Sequence, residues 1–125
     1  MDVTTFEKSI EDTLKEIKNN MKHLRETRHY AILYSKDEKI DPKKREALVK
    51  AVKAIDSLLA FFSFSSKGLE LKDRENKLQF IRLIEPKKRE SIDRIDELIE
   101  FIKKNNIRDV NLEFLESLKK DLEKI

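Results

Sequence analysis

Cysteine is absent from this chain, glycine occurs once and proline twice. Without cysteine there are neither disulfides nor thiolate metal ligands, so the fold must rest on its core. That suits a reducing interior, and the expected location is the cytoplasm. A single glycine, Gly68, cannot supply a glycine-rich phosphate loop, nor the many tight turns that join short strands. Long apolar runs are also missing. Leu58–Phe62 falls far below the roughly 20 residues that span a bilayer, and Met1–Ser9 lacks the apolar centre of a signal peptide.

An excess of one charge is lacking as well. Charged residues make up 42% of the chain, yet the net charge is only +3. A dedicated duplex-binding domain carries a larger imbalance. What excess there is lies in residues 41–68, with six bases and three acids. Lys and Glu are abundant and Gln occurs once, the drift found in thermophile proteins. The length of 125 residues suits one domain that buries roughly two thirds of its unfolded surface.

What remains is a helical pattern. Ile10, Leu14, Ile17, Met21 and Leu24 recur at alternating intervals of four and three, a narrow apolar stripe of coiled-coil type. The stripe predicts one long first helix over residues 5–34, with Arg28 falling on its seam. Asp41-Pro42 starts a second helix, over 42–66, because Asp caps well and Pro suits the first helical position. Leu48, Val52, Ile55, Leu59 and Phe62, broadened by Ala51, Ala54, Leu58 and Phe61, make this helix apolar over more than half its circumference. It is expected to be largely buried, with Gly68 just past its end. A short helix is expected over 74–84 behind the cap Asp73, facing inward with Leu78, Ile81 and Ile84 or Leu83. A further helix from Pro86 fills 86–104 and ends at Asn105-Asn106. The last spans 112–125, opened by a Val110–Leu115 staple. The expected fold is all-α, a single-domain antiparallel bundle of four to five helices.

Two heptapeptides stand out: Ile40-Asp-Pro-Lys-Lys-Arg-Glu46 and Ile84-Glu-Pro-Lys-Lys-Arg-Glu90. Both read as helix starts. Cations there oppose the helix dipole, at roughly 0.3–1 kcal/mol each. A breach of that rule made twice raises an anion site, with Lys43, Lys44, Arg45, Lys87, Lys88 and Arg89 on phosphates. Arg25 and Arg28 are further candidates. Against this stand favourable four-residue pairs such as Asp41–Arg45 and Glu85–Arg89. A duplicated helical unit would also explain the repeat, although solenoids need at least three copies.

Catalytic and metal patterns are incomplete. Glu26-Thr-Arg-His29 has the Glu-x-x-His spacing of di-iron bundles, but His23 follows Asn20 where a second glutamate is needed. Arg25 and His29 have three residues between them, fewer than the four to six of HEPN-type ribonucleases. His23 and His29 lie about 240° apart on a helix and do not converge. No cofactor is expected, and the chain is read as non-catalytic. Tyr30, Tyr34, Phe61 and Phe64 form two aromatic groups that suit a partner surface. The functional expectation is a protein-interaction or regulatory subunit that meets a protein partner or a second copy of itself. Nucleic-acid binding through the two basic helix starts is the alternative.

Overall fold

A computed structural model describes residues 3–108 and 112–125. Five helices cover most of them: α1 Val3–Asn19, α2 Met21–Ser35, α3 Pro42–Leu69, α4 Arg74–Lys104 and α5 Leu112–Glu123. Among the described residues the fold is all-α. The staple expected at Val110 lies outside the described residues.

The single first helix expected over 5–34 is interrupted at Asn20. There φ is −105° and ψ is 6°. The Asn20 side chain donates to the Glu16 carbonyl at 2.9 Å, competing with the helical ladder as asparagine does. The apolar stripe nevertheless survives the break. Ile10, Leu14, Ile17 and Leu24 are buried, and Met21 packs against them.

The second heptapeptide does not start a helix. Pro86 lies inside α4, so 74–84 and 86–104 are one helix. The two copies differ by one methylene, and that difference is informative. Asp41 is short enough for its Oδ2 to accept from the amides of Lys43 (3.0 Å) and Lys44 (3.3 Å), a side-chain cap. Glu85 instead sends its longer carboxylate to the amine of Lys88 at 2.8 Å. An interior proline forfeits one backbone bond and costs about 3 kcal/mol. The helix runs through it because Phe80, Ile84, Lys88, Ser91, Ile92 and Ile95 are buried on both sides of it in one continuous seam.

That seam also corrects the expected inner face. Leu78 and Leu83 are exposed, whereas Phe80 is buried. Room for Phe80 comes from Gly68, which belongs to α3 and is not a residue beyond its end. A Cβ on Gly68 would fall 2.0–2.3 Å from the Phe80 ring. The cap of α3 is Glu70, and no glycine has a positive φ.

The end of α4 follows the Schellman pattern. Ile107 N–H donates to Ile102 (3.1 Å) and Asn106 N–H to Lys103 (3.4 Å), with Asn106 at φ 51°. Helix α3 touches α1, α2 and α4, and α4 also carries α5. The core gathers around Leu58 and Phe61 of α3, with Ile10, Ile17, Ile95 and Leu122 from its neighbours.

Candidate binding site

Helices α2 and α3 face each other through small residues. Ala31 of α2 and Ala47, Ala51 and Ala54 of α3 border one cavity of about 560 Å³. The small alanines leave their wall shallow, and larger side chains of α2, α3, α4 and α5 complete the lining. The α3 wall runs from Lys44 to Leu58, about 21 Å at 1.5 Å per residue. Ile102 at the end of α4 and Phe114 and Leu118 of α5 close the far side.

A sealed and empty apolar void of this volume would cost on the order of 10 kcal/mol, at about 24 cal/mol per Å³. That rivals the whole stability of a typical domain, about 5–15 kcal/mol. The cavity is open instead. Tyr30 and Tyr34 line it and are 54% and 48% exposed. Their rings stack at 6.2 Å, and His29 meets Tyr30 edge-on at 5.6 Å. Leu33, between them on α2, is 53% exposed. His23 also lines the cavity, edge-on to Phe114 at 6.1 Å.

Polar groups gather near the start of α3. Lys44 lines the cavity there, and Arg108 lines it just past the end of α4. The ends of α3 and α4 adjoin, since Lys43 Nζ lies 5.9 Å from the centre of the Phe101 ring. Both cations therefore stand at one end of the cavity.

The expected phosphate clusters are not brought together. Phe101, under Lys43, is about 21 Å along α4 from Lys87. Most of these cations are engaged within the chain. Arg45 Nε donates to the Ile40 carbonyl at 3.1 Å, and Lys87 Nζ lies 5.0 Å from the Phe64 ring centre. Lys88 is only 8% exposed and donates to the Ile125 carbonyl at 3.0 Å. Arg89 faces Glu85 at 4.0 Å. Arg25 is exposed, while Arg28 turns to Asp56 of α3 at 2.5 Å. The hydrogen bond to Asp56 pushes the Arg28 pKa up.

The aromatic candidates divide in the same way. Tyr30 and Tyr34 are on the surface. Phe61 is 0% exposed and belongs to the core, because it lies on the same face of α3 as Leu58 and Ala54. Phe64 is half-buried against Phe80, with ring centres 5.4 Å apart. His23 and His29 are both exposed, and among the described residues no group of three or more His, Cys, Asp or Glu lies together as a metal set. Among the described residues no helix is long and apolar enough to cross a membrane.

The cavity itself was not anticipated from the sequence. The alanines at 51 and 54 read only as a broadening of the apolar face, and Ala47 and Ala31 carry no signal of their own. Comparison of the chain with protein-family models, with curated proteins and with solved structures gives no match.

Proposed function

We propose that this chain is a single-domain, antiparallel helical bundle that acts by binding a protein partner and not by catalysis. The antiparallel arrangement is supported by the four-residue connection from Leu69 to Arg74 and by paired contacts on either side of it. Phe64 meets Phe80 near the connection, whereas Lys50 reaches Glu97 at 2.8 Å far from it.

The observation that carries the binding reading is the exposed face of α2. Tyr30, Leu33 and Tyr34 leave about half of each side chain in water although a core is available next to them. Large apolar groups grouped on a surface mark contact sites, and tyrosine joins apolar area to a hydrogen-bonding tip. A protein surface presenting its own apolar side chains fits this face. A regulatory or scaffolding subunit is the role such a surface serves. The nucleic-acid reading is weaker, because the Lys-Lys-Arg clusters are separated along α4 and largely occupied within the chain.

The test is a photocrosslinker placed at Leu33 in the native host, with Leu33→Lys as the control for co-purification. The expected result is one defined crosslinked polypeptide, and loss of the same polypeptide from the Leu33→Lys preparation. A crosslink to a second copy of the chain identifies a homo-oligomer. No crosslink, together with unchanged co-purification in Leu33→Lys, refutes the reading.

A further inference from the structure

The cavity is lined mostly by apolar side chains and has cations at one end. Its α3 wall, from Lys44 to Leu58, is about 21 Å long, enough for an extended alkyl chain to lie along it. The volume is within the range of roughly 300–1,000 Å³ for small-molecule sites, which are mostly apolar with a few placed polar groups. Here those groups are Lys44 and Arg108, beside Tyr34.

We propose that the cavity is a binding site for a single-chain amphiphile with an acidic head, its alkyl chain lying over Ala47, Ala51 and Ala54 and its head between Lys44 and Arg108. The site borders the partner face, since Tyr30 and Tyr34 line it, but Leu33 does not. Leu33→Lys and Arg108→Glu therefore test the two readings separately.

The contrast between apolar walls and a cationic end makes two separable demands. The walls set a chain-length dependence, since each buried methylene contributes about 0.8 kcal/mol, roughly a fourfold change in affinity. The cationic end sets a preference for an anion over an alcohol of equal length. Contacts of exposed charges are weak, so the preference is modest, about fivefold.

The experiment is a titration of the methyl-labelled protein with sodium dodecanoate below its micellar concentration, followed by NMR. Dodecanol serves as the neutral probe and phosphatidylglycerol vesicles as the lipid-surface probe. Saturable shifts are expected at Ala31, Ala47 and Ala54. Arg108→Glu, an exposed substitution, is expected to weaken dodecanoate about fivefold and to leave dodecanol unchanged. Ala51→Phe, with its fold checked by circular dichroism, is expected to abolish both. If Ala51→Phe does not fold, the Arg108→Glu comparison decides alone. The proposal is overturned by shifts that are absent or confined to the exposed face of α2. Equal loss of dodecanol and dodecanoate in Arg108→Glu, or association with vesicles in place of saturable dodecanoate binding, overturns it as well.

Discussion

Replacing Gly68 by alanine sets two well-known effects against each other. Alanine is favoured over glycine in a helix interior by about 1 kcal/mol, so a surface position would gain that much. Gly68 is buried within α3, however, and its new Cβ would lie 2.0 Å from the nearest atom of the Phe80 ring. Contacts that short cannot persist, so the ring or the helices must shift. Phe80 is itself buried and packs against Phe64, which limits where the ring can go. Overpacking of this kind costs about 1–3 kcal/mol, more than the propensity gain at most of that range. Gly68→Ala is expected to destabilise the fold by up to about 2 kcal/mol net, measured by urea unfolding under circular dichroism. The melting temperature should fall by up to roughly 10 °C, from the entropy of unfolding of a domain of this size. The decisive comparison is a double-mutant cycle with Phe80→Ala. Once the ring is gone, Gly68→Ala should become stabilising by up to about 1 kcal/mol. Gly68→Ala that stabilises in the presence of Phe80, or that has the same sign in both backgrounds, would refute the steric argument.

Two further expectations concern α4. Pro86→Ala should restore the backbone hydrogen bond to the Arg82 carbonyl and raise stability by about 1–3 kcal/mol. An unchanged or lower melting temperature would contradict a helix that runs through residue 86. Glu97 accepts a hydrogen bond from Lys50 at 2.8 Å, and that bond, with the attraction of the same amine, holds its pKa below the usual carboxylate range. A depressed folded-state pKa means that this contribution to stability is present above the unfolded value and is lost as pH falls through the folded one. The Glu97 carboxyl carbon should therefore titrate at lower pH than an ordinary glutamate, and at higher pH in Lys50→Met. Equal midpoints in the two proteins would show that the Lys50 contact does not persist in solution.

The all-helical character and most helix ends are local properties, and the sequence carries them. Scarce glycine and proline, and apolar residues every three to four positions, leave helices as the structure that hides the apolar surface. Asp41-Pro42, Asp73 and Asn105-Asn106 act on amides and carbonyls within a few residues, so their effect needs no partner helix. Asn19-Asn20 is a signal of the same kind, and only the apolar stripe running past it conceals the break. The core stripe of α1 and the central place of Leu58 follow from periodicity alone.

Other features depend on what stands opposite. Pro86 is a stop signal by local rules, yet the helix continues because burial of Phe80 and Ile84 before it and Ile92 and Ile95 after it outweighs one missing hydrogen bond. Gly68 resembles a helix end until Phe80 is placed against it. Phe61, grouped with Phe64 as a partner-surface candidate although it lies on the apolar face, is covered by the neighbouring helices. The cavity has no local signature, since alanine is an ordinary helix residue wherever it occurs. The cavity exists only where Ala31 on α2 and Ala47, Ala51 and Ala54 on α3 come together with the end of α4 and with α5. Backbone hydrogen bonding is satisfied within each segment, so the sequence decides it directly. Volume is shared between segments, so only the packing of the helices against one another decides which side chains fill it and where space is left.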